Sequence, residues 1–215
     1  MKKSIIIILL LLITLLGIES LYHFNYLPHK KYKNSDFSIK TFESSIDKDN
    51  DGIEDQKDIL LSVKEYIKSK PKYKSKSYET GYPNDEYGVC TDVVAFGLLG
   101  AGYNLQDLVY EDIKNNREEY NIKTIDKNID FRRVRNLKVY FKRNAISLTT
   151  NLKKIEEWQG GDIVIFENHI GIISNNRNKK GIPFIIHNAN PYQSSYEEDI
   201  LESRKDIIGH YRISK

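Results

Sequence analysis

The spacing of apolar residues divides the chain into three regions. An apolar stretch, interrupted only by Thr14 and Gly17, runs from Ile5 to Ile18. In the middle region apolar residues recur at intervals of three or four, which is the spacing of one helix face. From Trp158 onward the pattern changes to short runs of β-branched residues bounded by Gly, Asn and Pro, which predict strands. Helices followed by a small antiparallel sheet make an α+β class.

The pattern and its breaks also predict where the elements lie. Helices are expected over residues 59–67, 90–101, 105–114 and 134–144, and strands over residues 162–166, 169–173, 182–187 and 209–213. The helix that begins at Cys90 is predicted to end at Gly102, because glycine is favoured just after a helix end. The loop 175–181 is short and polar, so the second and third strands are predicted to be antiparallel neighbours.

The N-terminal apolar stretch is typical of a targeting segment. Lys2 and Lys3 precede it, as in a secretory signal, and it is short for a spanning helix, which needs about 20 apolar residues. The residues after it offer no clear A-x-A cleavage site. Residues 1–20 are therefore interpreted as either a signal peptide or an uncleaved membrane anchor. Both interpretations place the remaining chain outside the cytoplasm, secreted or attached to the outer face of the membrane.

The rest of the chain is predicted to form a tether, a calcium-binding segment and one domain. Residues 21–45 are polar and basic, which predicts a linker or, alternatively, a segment near an anionic membrane or wall surface. Residues 46–77 hold an acidic loop with its helix, and residues 78–215 form the domain. The formal charge is only +3, and charged residues of both signs make up 29% of the chain. No nucleic-acid partner is predicted from so mild a charge.

The acidic loop at residues 47–58 has the spacing of an EF-hand-type calcium loop. Gly52 makes the sharp turn, and the ligands predicted from the spacing are Asp47, Asp49, Asp51, the carbonyl of Ile53, Asp55 through water, and Asp58. Asp58 stands where a full EF-hand has glutamate. The predicted role of calcium is structural, with an affinity in the millimolar range. The alternative is a solvated acidic turn that caps the following helix.

Cys90 is the one cysteine of the chain, which excludes a disulfide within it. A thiol at a helix start lies at the positive end of the helix dipole, which favours the nucleophilic thiolate. The alternative is a small buried residue without a chemical role. Asp92 belongs either to the site or to the helix start, and the structural interpretation is preferred because a nearby carboxylate would raise the thiol pKa. Tyr82 and Tyr87 precede the cysteine and are predicted to line the cleft.

Two histidines can supply the partners that a nucleophilic cysteine needs. His169 opens one predicted strand and His187 ends the next. In an antiparallel pair the start of one strand lies beside the end of the other, so both histidines are expected at the same edge. His169 can then take the thiol proton and return it to the leaving amine. His187, or Asn188 beside it, can orient and polarise that imidazole.

Several motifs resemble those of known bacterial proteins. Residues 158–164 (WQGGDIV), which include Asp162, and residues 169–173 (HIGII) resemble the signature of NlpC-type papain-like cell-wall peptidases. Together with residues 88–94 (GVCTDVV), 128–134 (NIDFRRV), 186–188 (IHN) and 209–212 (GHYR), they resemble the bacterial family called domain of unknown function 1287, which is grouped with those peptidases. The resemblance covers residues 78–215. The insert between Gly102 and Trp158 departs from the compact peptidase pattern.

The resemblance implies a papain-like fold, in which a helix that begins at the nucleophile Cys90 packs on a small antiparallel sheet. It implies that His169 is the base and His187 the third member, with Asp162 and Asn188 in support. NlpC-type enzymes cleave the peptide stems of peptidoglycan, so a cell-wall amide substrate is expected, without a catalytic cofactor. Two alternatives stay open: a non-catalytic wall-binding module on the same fold, and an acyltransferase that uses the same triad and shares the acyl-enzyme.

Overall fold

The computed structural model describes residues 2–215, which form two units, one up to Lys30 and one from Lys31 to Lys215. The first unit is built on helix α1 (Lys2–His23). Within it, Lys3–His23 is long and apolar enough to cross a membrane, with a mean hydropathy of 2.6. A signal sequence has the same features, so this helix is compatible with either a signal peptide or an anchor.

The second unit has six helices, which lie before most of the sheet along the chain. They are α2 (Asp55–Lys68), α3 (Cys90–Gly100), α4 (Leu105–Asn115), α5 (Arg117–Tyr120), α6 (Lys127–Asp130) and α7 (Val134–Asn144). Helices α2 and α3 pack closely, because α3 presents glycine to α2. A Cβ atom at Gly100 would lie 2.0 Å from the Ser62 hydroxyl oxygen, so only glycine fits there.

The strands of the second unit form a six-stranded sheet and a separate parallel pair. The parallel pair is β1 (Lys72–Tyr73) with β2 (Tyr87–Gly88). The sheet has the order β3-β8-β4-β5-β6-β7, and every neighbouring pair in it is antiparallel. Its members are β3 (Ile146–Ser147), β4 (Ile163–Phe166), β5 (Ile170–Arg177), β6 (Pro183–Ile186), β7 (Glu197–Glu198) and β8 (Ile207–Arg212).

Both faces of the central strands are buried, because successive side chains of a strand point to opposite sides. On one face, Ile163, Ile165, Ile170 and Ile172 join the large core with α2 and α3. On the other face, Val164, Phe166 and Ile173 pack with Trp158 and Leu201 in a smaller core. The sheet is therefore enclosed between the helices on one face and the segments before β4 and after β6 on the other.

The structure confirms the α+β class and the four long helices predicted from the sequence. Helix α3 begins at Cys90, and Gly102 follows its end with a φ of 75°. The predicted antiparallel pairing of β5 with β6 is also confirmed, with Ile172 opposite Ile186. Strands β3 and β7 were not predicted, because two residues are too few to show an alternating pattern.

The domain boundaries differ from those expected at residues 45 and 77. Tyr32 exchanges two backbone hydrogen bonds of 2.9 Å with Arg177 of the sheet, and the buried Arg177 side chain donates to the Asn34 side chain at 2.6 Å. Residues 31–45 are thus part of the folded unit rather than a tether. Helix α2 contributes Ile59 and Val63 to the main core, so residues 46–77 are not a separate segment either.

Candidate active site

Cys90 is the first residue of α3, and its sulfur meets the start of β5. The preceding Val89 is extended, and its N–H donates to the Asp92 carboxylate at 2.9 Å, which closes the first turn of the helix. Helix α3 packs on β5, and the Ile170 N–H at the start of that strand acts on the Cys90 sulfur, where it opposes the rise that burial causes in the thiol pKa. Ile170 directly follows His169 in the chain. The packing of α3 on the start of β5 therefore places Cys90 near His169.

A line of three side chains leads away from this point into the protein. His169 Nε2 lies 2.8 Å from His187 Nδ1, and His187 Nε2 lies 3.0 Å from a carboxylate oxygen of Glu198. His187 and Glu198 are buried, whereas His169 is half-buried. The pairing of β6 with β7, which places Ile185 opposite Glu198, positions the carboxylate behind His187. The line therefore runs from an accessible imidazole to an enclosed carboxylate.

The hydrogen bonds in this line determine which nitrogen of each imidazole carries its proton. The Glu198 carboxylate accepts, so His187 donates from Nε2 and its Nδ1 becomes an acceptor. His169 must then donate from Nε2, and its Nδ1 holds a free electron pair. Nδ1 is the atom with which His169 can act as a base.

Burial disfavours the charged forms of both Cys90 and His169, the thiolate and the imidazolium. It raises the pKa of the Cys90 thiol to about 11, although the N–H groups of Ile170 and Thr91 pull that pKa down. Burial is the main cause that lowers the pKa of His169 to about 3, with smaller contributions from the neighbouring His187 and Arg204. The resting pair is therefore a neutral thiol and a neutral imidazole. The thiolate expected from the helix dipole is not the resting form, because desolvation outweighs the backbone donors.

A match to the family described as Domain of unknown function (DUF1287) covers residues 60–213. The chain belongs to the DUF1287 family. It is also 38% identical over 151 residues to the uncharacterised protein YijF of Escherichia coli strain K12, an alignment that covers 66% of this chain and 72% of YijF. No solved structure matches the chain.

The DUF1287 match contains Cys90, His169, His187 and Glu198, but the acidic loop 47–58 lies before it. The family is one of unknown function, and the relative is uncharacterised. Neither of these matches links the chain to NlpC-type peptidases.

Asp162 lies away from the cysteine, at the other end of β4. Its backbone bonds to Ile173, four residues along the chain from His169, or roughly 13 Å of strand. The buried Asp162 carboxylate accepts hydrogen bonds from five groups: the Gln159 N–H, the Gln56 amide, His210 Nε2, and Nε and Nη2 of Arg212. The Trp158 ring stacks on His210 with centroids 3.8 Å apart. The WQGGD and GHYR motifs of this DUF1287 chain thus form one buried polar network that supports the sheet.

Asp92 and Asn188 hold the approach to Cys90 in place. Asp92 is fully buried and binds Arg132 through both oxygens, at 2.6 and 2.9 Å. The Asn188 amide donates to the carbonyls of Pro71 (2.8 Å) and Gly88 (3.1 Å). Both of its N–H groups are used there, so His187 is the residue that orients His169.

The two tyrosines expected in the cleft have different surroundings. Tyr82 packs between Phe96 and Phe131 in the core, and burial raises its pKa to about 12. Tyr87 is half-buried, and the ammonium groups of Lys74 and Lys76 lie 5.0 and 4.8 Å from its ring centroid. Both side chains are half-buried, so their exposure does not distinguish them as cleft residues.

Glu198 is the functional candidate that sequence reasoning missed. It lies 11 residues after His187 in a two-residue strand, without a motif around it.

Gly171 belongs to the HIGII motif, but only the structure shows why glycine is needed at this position. A Cβ atom there would lie 2.6 Å from the Ile185 side chain and 3.4 Å from His187 Cβ. Glycine at this position leaves room for the two histidines to meet.

The two shifted pKa values predict a pH dependence of stability. The unfolded chain protonates His169 near pH 6.5 and the folded chain only near pH 3, so stability is lost as the pH falls below 6.5. The thiol ionises near pH 9 when the chain is unfolded and near pH 11 when it is folded, so stability is also lost above pH 9.

We expect the free energy of unfolding, measured in denaturant, to fall in acid more steeply for the wild type than for His169→Asn. The difference in slope approaches about 1.4 kcal/mol per pH unit, and parallel curves would contradict it.

Proposed function

We propose that this chain is a cysteine hydrolase of papain-like, NlpC-related type that cleaves amide bonds in the peptidoglycan cell wall. The observation that carries the proposal is the line Glu198–His187–His169, which ends at the residue before Ile170, whose N–H acts on the Cys90 sulfur. A helix that begins with the cysteine and packs on an antiparallel sheet supports the papain-like assignment. The apolar N-terminal helix supports a secreted or membrane-anchored location.

The proposed reaction begins with a proton transfer. His169 Nδ1 takes the proton of the Cys90 thiol, and the thiolate attacks the amide carbonyl carbon to form a tetrahedral intermediate. His169 then gives this proton to the leaving amine as the carbon–nitrogen bond breaks, which leaves an acyl-enzyme. Water, deprotonated by His169, releases the acid and restores the thiol. His187 and Glu198 stabilise the imidazolium that forms in each step.

A basic cavity supports an anionic substrate such as a peptide stem, which carries carboxylates. A cavity of about 290 Å³ adjoins Val89, the residue before Cys90, and Lys76, Arg132 and Arg133 contribute to its wall. Arg132 is paired with Asp92 and Lys76 with Asp85, so the exposed Arg133 contributes most of the positive charge of this cavity. A larger cavity of about 620 Å³, lined in part by Phe42 and Arg212, lies at the Asp162 end of the sheet, so it is a weaker candidate for the substrate site.

The test is digestion of purified peptidoglycan by the full-length protein, with mass analysis of the soluble products. We expect stem fragments that have gained one water per cut bond, and no such fragments with Cys90→Ala. Fragments joined to an added amine instead of water would indicate acyl transfer by the same residues. Peptidoglycan that binds the protein but yields no products would contradict the proposal.

The alternative of a non-catalytic wall-binding module is favoured by one observation, the raised pKa of the Cys90 thiol. A thiol that stays protonated at neutral pH alkylates slowly. The two proposals differ in the effect of a substrate-like fragment. In a hydrolase, Cys90→Ala retains fragment binding but loses cleavage, whereas in a binding module both proteins bind and neither cleaves.

Glu198 has a testable positioning role in the hydrolase. Glu198→Gln keeps the size of the side chain but removes the charge that sets the tautomers of His187 and His169. We expect kcat/KM on peptidoglycan fragments to fall about 10- to 100-fold, part of the 10²–10⁴ that proton transfer contributes. The acid limb of the pH–rate profile should shift as well, which a purely structural role would not produce. Glu202→Gln, at an exposed ion pair with Lys180, is the matched control and should change neither. An unchanged pH profile in Glu198→Gln would exclude the role.

A further inference from the structure

We propose that the loop 47–58 binds one calcium ion through the carboxylates of Asp47, Asp49, Asp51 and Asp58, with the Ile53 carbonyl as a further ligand. The proposal is independent of the hydrolase, because the loop lies outside the candidate active site and outside the residues matched to the family.

Three carboxylates of the loop converge. One oxygen from each of Asp47, Asp49 and Asp51 lies within 4.8 Å of the other two. The backbone turns them inward: the N–H of Gly52 donates to Asp47 at 2.9 Å, and Gly52 has a φ of 93° that disfavours any other residue. An all-oxygen site of this kind suits calcium, which takes six to eight oxygen ligands.

A second, independent observation comes from the helix that follows the loop. Asp58 lies in the first turn of α2 and is only 6% exposed. One of its carboxylate oxygens accepts from the Ser62 hydroxyl at 3.1 Å. The other, Oδ2, is buried and has no hydrogen-bond partner among residues 2–215. A buried carboxylate oxygen without a partner is unusual, and a cation supplies what it lacks.

Asp58 also stands at the twelfth position of the loop, from which an EF-hand-type loop supplies its closing carboxylate. Asp47, Asp49 and Asp51 carry like charges within 4.8 Å of one another, and these charges repel. A divalent cation bound among them would offset this repulsion, and Asp58 would supply the fourth carboxylate.

Asp55 departs from the ligand pattern expected from spacing. One of its oxygens accepts from the Lys48 N–H at 2.9 Å, and the other accepts from the Tyr103 hydroxyl. The Asp55 side chain therefore links the loop to the turn after α3 through hydrogen bonds. Asp49 packs against Gly102 of the same turn, where an added Cβ would lie 3.0 Å from Asp49 Cβ. Calcium would thus fasten the start of α2 to the end of the helix that carries Cys90, which makes it a structural ion.

The experiment uses the full-length chain in detergent, stripped with EGTA and titrated with calcium chloride or magnesium chloride. We expect calorimetry to show one calcium per chain and weaker magnesium binding, because magnesium sheds its water reluctantly. At a hundredfold excess over Kd, the unfolding midpoint should rise by about 5–10 °C. Terbium luminescence, displaced by calcium, measures the site in the wild-type chain without any variant.

Two variants and a matched control complete the test. Asp58→Asn and the double variant Asp49→Asn with Asp51→Asn should each lose the calcium shift. In EGTA they should be at least as stable as the wild type, since they relieve repulsion. Glu118→Gln with Glu119→Gln removes two exposed charges elsewhere and should keep the full shift. No calcium heat and no terbium signal in the wild type would overturn the proposal. A calcium shift that survives in the double variant would overturn it as well.

Discussion

Replacing Cys90 with alanine is expected to reduce peptidoglycan hydrolysis to the background rate while the fold stays intact. The sulfur is the only thiol of the chain, so no other cysteine can form the acyl-enzyme. The side chain is small and half-buried, and its loss should lower the unfolding midpoint by no more than about 2–4 °C. The measurement is kcat/KM on a purified peptidoglycan fragment, beside a thermal unfolding curve.

His169→Ala is the partner experiment and separates a catalytic pair from two independent residues. If His169 activates Cys90, then each single variant and the double variant should show the same residual rate, because residues that act as a unit are not additive. Activity that survives Cys90→Ala, or losses that multiply in the double variant, would show that the pair does not work as proposed.

Replacing Asp162 with asparagine is expected to lower the free energy of unfolding by about 3–5 kcal/mol. The change keeps the shape but removes the charge that Arg212 and His210 face in the interior. The Arg212 guanidinium would then be a largely buried cation without its counter-ion. Leaving one buried charge of an ion pair unpaired strongly destabilises a protein. Denaturant unfolding at constant m value measures the effect.

The matched control for Asp162 is Asp206→Asn. Asp206 binds Arg204 through two hydrogen bonds, but about a third of each side chain is exposed. Water screens this pair, so its loss should cost no more than about 1 kcal/mol. A similar loss in both variants would mean that the Asp162 network does not support the sheet. The hydrolysis rate per folded molecule should be unchanged in Asp162→Asn, because the network lies roughly 13 Å along the strand from His169.

The elements around the cysteine could be read from the chain because their causes are local. Helix α3 begins at Cys90 and ends two residues before Gly102, and α7 covers Val134–Asn144, since apolar periodicity and a terminal glycine act over a few residues. The meeting of His169 and His187 was also predictable. A short polar loop forces the two strands to be antiparallel neighbours, and that pairing brings the two imidazoles within 2.8 Å.

Other features depend on contacts between distant parts of the chain. Residues 31–45 look like a linker because they are polar, yet Asn34 satisfies the buried Arg177 from 143 positions away. Asp162 was expected to support the catalytic residues, but its partners at residues 56, 210 and 212 make it part of a structural network away from them. The residues that neighbour Asn34 and Asp162 in the chain do not indicate these distant partners.

The sequence by itself determined the four long helices, the antiparallel pairing of β5 with β6 that brings the two histidines together, and the acidic loop with its calcium spacing. The tertiary structure alone decided that Glu198 stands behind His187 and that Asn188 is used elsewhere. It also decided that Cys90 rests as a neutral thiol, with its pKa raised to about 11. The physical reason is that periodicity and turn chemistry act between neighbours in the chain. Desolvation and tautomer control depend on what packing brings together from far apart.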